Sequence, residues 1–244
     1  MFSVAAIAKR ELSGYFATPV AYVFIVIFVA LSSAFTFYIG GFFERGQASL
    51  ESFFNFHPWL YMFLIPAVSM RLWSEERKSG TIEMLMTLPI STVAAVIGKF
   101  VAAWAFIAVA LALTFPLWIT VNVLGQPDNG VIAASYAGSL LMAGAFLAIG
   151  SCFSALTRNQ VIAFIVAAAV CFLFTMSGLD LVLDVFRGWA PHILVDTIAS
   201  LSFLSHFDRV TKGLIDVRDL VFFVSMIALW LYATVVAVDV ERGA

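Results

Sequence analysis

The chain of 244 residues has little charge. Only 11% of its residues are Asp, Glu, Lys or Arg, whereas 63% are hydrophobic, and the mean hydropathy is +1.03. An average soluble domain carries about a quarter charged residues. A water-soluble fold of this size would therefore lack the polar residues that cover a surface, and the composition indicates an integral membrane protein.

Sequence motifs for nucleotide binding and for common catalytic sites are also missing. There is no G-x-x-x-x-G-K-[ST] loop, so the chain cannot bind ATP by that route, and there is no H-E-x-x-H or G-x-S-x-G motif. No acidic or basic residue falls in the middle of a predicted span, where it would mark an ion site or proton relay. The two cysteines, Cys152 and Cys171, lie within predicted spans and carry no redox information. These absences argue against an intramembrane enzyme and against an ion-driven transporter.

Long uncharged stretches predict where the chain crosses the bilayer. Unpaired backbone groups are costly in lipid, so a spanning segment is a helix or part of a closed barrel. The stretches are continuously apolar rather than alternating, which favours helices of about 20 residues. The first stretch is too long for a cleavable signal peptide and should stay in the mature chain. We predict an all-α integral membrane fold, one domain over residues 1–244, with six transmembrane helices at about 20–41, 56–72, 97–124, 133–156, 160–178 and 220–239.

The distribution of positive charge predicts the orientation. The side that holds both termini carries eight of the 13 Lys and Arg residues, and the opposite side carries five. Because Lys and Arg are in excess on the cytoplasmic side of membrane proteins, both termini are expected in the cytoplasm.

Segments outside the spans have their own patterns. Residues 4–24 mix Lys9, Arg10 and Glu11 with apolar and aromatic residues, which favours an interfacial helix over a disordered basic tail. Residues 180–219 mix apolar and charged residues and predict one or two amphipathic extracytoplasmic helices that rest on the outer leaflet before the last span. In span four, small residues four apart predict close helix packing: Gly144 with Ala148, and Gly150 with Ser154.

Histidines next to aspartates offer a weak metal-site alternative. His192 precedes Asp196 by one helical turn, and His206 precedes Asp208 by two positions. Imidazole and carboxylate groups can ligate transition metals. Interfacial histidines near aspartates are ordinarily solvated or capping residues, so we predict no metal site.

The densest run of charge, "RLWSEERKSGTIEMLMTLP" at 71–89, follows the second predicted span. Gly80 breaks this segment, Thr81 can cap a new helix, and Glu83 would lie in its first turn, where the helix dipole favours an anion. The two-turn helix that follows is nearly all apolar and cannot turn every face to one membrane surface. A generic cytoplasmic loop would not explain the acidic residues that nearly cancel the positive ones. We therefore interpret this segment as a docking element for another protein.

The same segment resembles a known family. The pattern "EERKSGTIEMLMTLPI", followed by Gly98-Lys99, is similar to the segment after the second span in ABC-2 type transporter permeases. Within that family the chain resembles the branch that contains gliding-motility permeases and the permease of nitrous oxide reductase maturation. Three further stretches agree: "KRELSGYFATPVAYVF" at 9–24, "SALTRNQVIAF" at 154–164 and "SLSFLSHFDRVTKGLIDVRDLVFF" at 200–223.

The resemblance implies a transmembrane subunit whose short cytoplasmic coupling helix docks into a separate nucleotide-binding ATPase subunit, which would bind ATP and Mg²⁺. No cofactor and no catalytic residue is expected in this chain. The implied docking residues, here called the docking segment, are Glu75, Glu76, Arg77, Gly80, Thr81, Ile82, Glu83, Leu85 and Met86. Arg158 and Asn159 form a weaker second contact.

The implied partners are the ATPase, a second permease half as a homodimer or paired permease, an extracytoplasmic auxiliary protein and the lipid bilayer, with no nucleic acid. The expected location is the cytoplasmic (inner) membrane, which the chain crosses several times. The expected function is ATP-driven export or conformational work. The alternative is a non-transporting mechanical or assembly component that transmits motion to an extracytoplasmic partner.

Overall fold

The computed structural model describes residues 4–81, 90–188, 190–214 and 216–242. Throughout these ranges the secondary structure is helical and contains no β-strand. The all-helical class predicted from the continuous apolar stretches is therefore confirmed for the described chain.

The helices are numbered here in chain order. The first half contains α1 (Val4–Phe16), α2 (Pro19–Ala34, continued by a π-helical turn over Phe35–Ile39), α3 (Glu51–Asn55), α4 (His57–Ser69) and α5 (Arg71–Ser79). The second half contains α6 (Thr92–Ala112), α7 (Phe115–Leu124), α8 (Asn129–Leu156), α9 (Gln160–Met176), α10 (Asp180–Arg187), α11 (His192–Ser200), α12 (Phe203–Thr211) and α13 (Val217–Arg242).

Four stretches of the described chain are helical, long and apolar enough to cross a membrane: Pro19–Ile39, Thr92–Leu124, Asn129–Leu156 and Val217–Val240. A fifth span results if α9 and α10, which meet at 78°, are counted as one bent span. The predicted count of six is thus not reached by length and composition. The difference lies at the second predicted span, where α4 has 13 residues, or about 20 Å of helix.

A proline and a break in the helix accompany the shortness of α4. Pro66 removes a backbone donor from the helix, and the helix ends at Ser69, followed by a break at Met70 before α5 begins. Nine of the 13 residues of α4 are buried. Neighbouring helices therefore surround α4 over most of its length, so it does not need to match the thickness of the hydrocarbon by itself.

The helix α8 is the central element of the bundle. It packs against α4, α5, α6, α9, α12 and α13, and 78% of its apolar window is buried. Small residues allow this crowding. A Cβ atom built on Gly150 would lie 1.9 Å from Ser69 Oγ, and one on Gly144 would lie 3.1 Å from Trp104 Nε1. The close approach predicted from the small-residue spacing is seen at both glycines.

The region between α9 and α13 differs from its prediction. Its described residues form three short helices, α10, α11 and α12, rather than one or two. Of these, α12 does not lie flat on an outer surface. Phe203, Phe207 and Val210 are buried, and α12 packs on α8. Among the described residues of these three helices, large exposed apolar side chains occur on α10 and α11, with Leu181 and Ile193 each 81% exposed.

The contact between α4 and α8 generates a stability prediction. Gly150→Ala should lower the free energy of unfolding by about 1–3 kcal/mol, because the new methyl group collides with Ser69 and a packed core resists overfilling. Adding Ser69→Gly removes the colliding atoms and should recover part of the loss. Thermal unfolding of the purified protein in detergent measures both effects.

Gly14 offers a matched control for this test. It lies in α1, and a Cβ atom there would meet nothing within 4 Å. Gly14→Ala should therefore stabilise the protein by about 0.5–1 kcal/mol through the lower backbone entropy of alanine. If Gly150→Ala were as stable as the unchanged protein, the close packing of α4 on α8 would be contradicted.

Candidate functional site

The charged helix α5 is held at its start by the central helix α8. A helix that begins after a break leaves backbone N–H groups without intrahelical partners. The Ser154 hydroxyl of α8 accepts hydrogen bonds from the N–H of Trp73 at 3.0 Å and of Ser74 at 3.1 Å, and it donates to the Met70 carbonyl at 2.8 Å. The Ser154 hydroxyl thus uses its donor and both acceptor positions to bind the unpaired backbone groups at the break between α4 and α5.

Trp73 fixes the side of α5 that faces the bundle. Its side chain is fully buried, and its indole N–H donates to Ser151 Oγ of α8 at 3.2 Å. The ammonium group of Lys99, which belongs to α6, lies 5.4 Å from the centre of the indole ring. A cation at this distance over a tryptophan face is attracted by the ring. Trp73 therefore joins α5 to α8 and to α6.

Lys99 is the electrostatic centre of this end of the bundle. The residue is only 3% exposed. Its Nζ atom lies 2.8 Å from Glu76 Oε1 of α5 and 3.3 Å from Glu11 Oε2 of α1. We call Glu11, Glu76 and Lys99 the Lys99 clamp. A buried charge is tolerated when it is paired with good geometry, so the clamp holds three helices that are distant in sequence.

The carboxyl group of Glu11 is charged in the clamp. Burial alone would raise the pKa of Glu11, but the charges and hydrogen bonds of Lys99 and Arg10 outweigh it. The pKa of Glu11 therefore lies below its ordinary value. At neutral pH the clamp contains a carboxylate rather than a neutral acid at this position.

The α1 helix reaches the clamp because α6 has a glycine next to the lysine. A Cβ atom on Gly98 would lie 2.7 Å from Ile7 Cγ2. Only a glycine lets α1 pack this closely on α6, and the close packing brings Glu11 within reach of Lys99. The Gly98-Lys99 pair in the sequence thus has a physical role. Its first residue allows contact with α1, and its second ties α1 to α5.

The described residues of the docking segment are either exposed or partly buried. Glu75 is exposed and pairs with Arg71 one turn earlier at 2.9 Å. Glu76 instead turns inward to Lys99, and the Arg77 guanidinium donates to the Ala155 carbonyl at the end of α8. Gly80 ends α5 in the left-handed conformation, with φ of 72°.

The remaining predicted docking residues are described only in part. Thr81 is exposed, and its hydroxyl lies 2.8 Å from Ser79 Oγ. Ile82, Glu83, Leu85 and Met86 lie outside the described residues. The coupling helix itself therefore stays a prediction, whereas the helix that leads into it is described.

The second candidate contact lies beside α5. Asn159 accepts a hydrogen bond from the Val161 N–H at 2.9 Å and thereby caps α9. Arg158 is exposed. Burial, together with the nearby charge of Arg158, lowers the pKa of Arg77. The structure thus brings Arg158 close to the base of the docking segment, although the two are far apart in sequence.

The opposite end of the bundle contains a second polar cluster. The buried Asp219 of α13 contacts His206 Nδ1 at 2.5 Å and Arg209 Nε at 3.2 Å, both from α12. His206 Nε2 donates to the Ser200 carbonyl at 2.9 Å. Both ring nitrogens of His206 are thus engaged by protein groups.

The histidines and aspartates of the metal-site alternative do not come together in the described structure. His192 and Asp196 are exposed, and both nitrogens of His206 already have protein partners. Within the described ranges, no group of three or more His, Cys, Asp or Glu side chains has the geometry to hold a metal ion.

Several residues of this site carry roles that the sequence did not reveal. From the sequence, Glu11 was assigned only an interfacial position, Trp73 was assigned no role, and Lys99 was assigned only a place in a motif. Ser154 was assigned only to helix packing. One signal pointed to Lys99, because it is the last charge before a long uncharged stretch. A charge at the edge of a span requires a partner or an aqueous surface.

The fold and the site define a helical membrane protein that crosses the bilayer several times and carries an anchored charged helix at one end. Residues 5–240, nearly the whole chain, match the profile of the ABC-2 family transporter protein. The chain belongs to this family, and it is a permease component of an ABC transporter. Members associate in general with an ATPase subunit and a membrane partner. No curated protein matches the chain.

The clamp generates a second stability prediction. Lys99→Met leaves Glu11 and Glu76 partly buried without their counter-charge, so the free energy of unfolding should fall by about 3–5 kcal/mol. Adding Glu11→Gln and Glu76→Gln removes the uncompensated charges and should recover most of this loss. Unfolding of the purified variants in detergent measures the difference.

Lys78→Met is the matched control, because Lys78 is an exposed lysine on the same end of the bundle. It should change stability by less than about 0.5 kcal/mol. A triple variant no more stable than Lys99→Met alone would show that the clamp is not an electrostatic unit.

Proposed function

We propose that this chain is the transmembrane permease subunit that couples ATP hydrolysis by a separate nucleotide-binding subunit to export or conformational work across the cytoplasmic membrane. In this proposal the partner binds ATP and Mg²⁺, and the chain itself is not an enzyme. Family membership supports the proposal, and so does one structural observation: the charged helix α5 is exposed at Glu75 but anchored at Glu76, Trp73 and Arg77.

The proposed contact comprises the exposed side of α5 and the coupling helix that follows it. Glu75, Gly80 and Thr81 are accessible at the end of α5. Residues 82–89 would supply the apolar plug predicted from sequence, and Arg158 with Asn159 would border it. An acidic residue exposed beside basic ones can give orientation and specificity in a protein–protein contact.

The proposed path of motion runs from α5 into three other helices. A nucleotide shifts a conformational equilibrium only if it changes contacts that differ between two states. The ATPase would make those contacts at the docking segment. Through the Lys99 clamp a displacement of α5 would act on α1 and α6, and through Ser154 and Ala155 it would act on α8.

The proposed orientation places α5 and both termini in the cytoplasm. The excess of Lys and Arg on that side supports this assignment. The proposed assembly is a two-fold dimer, either of two copies or with a related permease, because one half does not enclose a path by itself. The stretches at 154–164 and 200–223 support the gliding-motility and nitrous-oxide-reductase-maturation branch.

The non-transporting alternative is favoured by a specific observation at the other end of the bundle. Leu181 and Ile193 are large apolar residues on short helices, and each is 81% exposed. They would suit contact with an extracytoplasmic partner. Stimulation of ATP hydrolysis by such a partner, rather than by a cargo molecule, would distinguish this function from export.

The two neighbouring glutamates allow docking and transmission to be separated. Glu75→Ala removes an exposed contact and should weaken co-purification with the ATPase subunit by roughly fivefold or more. Glu76→Gln removes a partly buried charge from the clamp, so it should leave co-purification unchanged but reduce the change in ATPase rate that the permease causes. The double variant Glu75→Ala with Glu76→Ala should lose both.

Asp184→Ala is the matched control, since Asp184 is an exposed acid that pairs with Arg187 on its own helix, as Glu75 pairs with Arg71. It should affect neither measurement. The proposal is wrong if co-purification and coupling survive both the double variant and Leu85→Asp.

A further inference from the structure

A cavity of about 420 Å³ lies between α1, α2, α4, α5 and α6. Its volume falls in the range of ligand-binding clefts, which is about 300–1,000 Å³. The walls are mainly apolar, and they include Ala21 and Phe24 of α2, Val68 of α4 and Phe106 of α6. The cavity therefore has the composition of a binding site for a molecule with a long apolar part.

The floor and the rim of the cavity differ in exposure. Ala21, Phe24, Val68 and Phe106 are buried and form the floor. Three residues of α2 that also line the cavity are exposed, and they repeat at helical spacing: Val20, Val23 and Ile27. Because these exposed residues belong to a membrane-spanning helix, the cavity opens sideways toward the hydrocarbon of the bilayer.

The end of the cavity next to α5 is charged. Glu11, Glu75 and Glu76 line it together with Arg71 and Lys99, so carboxylates exceed cations by one. Lys99 is buried and held by Glu11 and Glu76. The Arg71–Glu75 pair is more exposed. A ligand that enters the cavity would therefore meet one accessible guanidinium and one accessible carboxylate side by side.

The apolar walls and the charged end of the cavity together indicate what kind of ligand would fit. An apolar cavity that opens to hydrocarbon is best filled by an acyl chain, since an empty apolar void forfeits dispersion contacts. The adjacent Arg71 and Glu75 match a headgroup that carries a phosphate and an ammonium group, because guanidinium groups bind phosphate and carboxylates accept from ammonium. A purely anionic headgroup would meet an excess of negative charge.

We propose that the cavity binds one molecule of a phospholipid with a zwitterionic primary-amine headgroup. One acyl chain lies between α2 and α4, the phosphate contacts Arg71, and the ammonium group contacts Glu75. The lipid site shares Glu75 with the proposed ATPase docking surface. The two proposals can fail separately, because lipid binding is measured on the purified chain with no partner present.

The test uses the purified full-length protein in nanodiscs made from defined mixtures of phosphatidylethanolamine, phosphatidylcholine and phosphatidylglycerol, with bound lipid measured by native mass spectrometry. About one phosphatidylethanolamine should be retained per chain, in preference to the other two lipids. Arg71→Gln should weaken retention about tenfold through loss of the phosphate contact. Ala67→Phe, which places a ring in the cavity from α4, should abolish retention.

Val109→Phe is the matched control, because Val109 is exposed on α6 and does not line the cavity. It should retain the lipid as the unchanged protein does. Soluble glycerophosphoethanolamine, which has the headgroup without acyl chains, should not displace the lipid.

Three results would overturn the proposal. The first is equal retention of phosphatidylethanolamine and phosphatidylglycerol with no effect of either substitution. The second is full displacement by glycerophosphoethanolamine, which would identify a site for a soluble molecule. The third is rapid disulfide formation between two copies of a Val23→Cys variant with no lipid retained, which would show that a second copy of the chain covers the cavity.

Discussion

The structure depends on one ammonium group that has been removed from water. Burying the Lys99 charge costs several kcal/mol unless carboxylates compensate it, and two carboxylates do so from two different helices. The three helices α1, α5 and α6 must therefore meet at this point. Trp73 below the ammonium and Gly98 beside it complete the site, because one supplies a polarisable face and the other supplies space for α1.

The central helix α8 supports this end of the bundle with hydroxyl groups. In an apolar medium every backbone polar group needs an internal partner, so the break between α4 and α5 would be unfavourable without Ser154. The same helix carries Gly150 where Ser69 of α4 lies against it and Gly144 where Trp104 of α6 does. The charged helix α5 is thus attached to the central helix α8 by polar contacts and to α1 and α6 by charge.

The three residues of the Lys99 clamp also line the neighbouring cavity. Glu11, Glu76 and Lys99 form the boundary between the charged end of the cavity and the packed interior. Any change in the position of α5 changes the shape of this boundary. The proposed lipid site, which faces the bilayer, and the proposed ATPase site, which faces the partner subunit, would therefore meet at Glu75.

Sequence patterns predicted the long spans well because burial in lipid needs only a continuous apolar run. The same patterns did not predict that α4 is short. Its length depends on a break at its end, and the unpaired N–H groups at that break are bound by Ser154, which lies 80 or more positions away in the sequence. The segment at 180–219 was predicted to rest on the outer leaflet, but its last helix, α12, buries Phe203 and Phe207 and packs on α8.

The density of charge in the sequence located the candidate site. It did not show that Glu75 is exposed whereas Glu76 turns inward to Lys99. Glu11 and Lys99 are 88 positions apart, and no local pattern indicates such a pairing. The coupling helix at 82–89 lies outside the described residues and stays a prediction.

The most direct test of the central claim measures whether the clamp moves as one unit. Spin labels at Ser13→Cys on α1 and Lys78→Cys on α5, together with a label at Leu181→Cys on α10, would report distances in the complex with the ATPase subunit, with and without ATP. The account predicts that the 13–78 distance stays constant while the 78–181 distance changes. A 13–78 distance that changes as much as the 78–181 distance would contradict it.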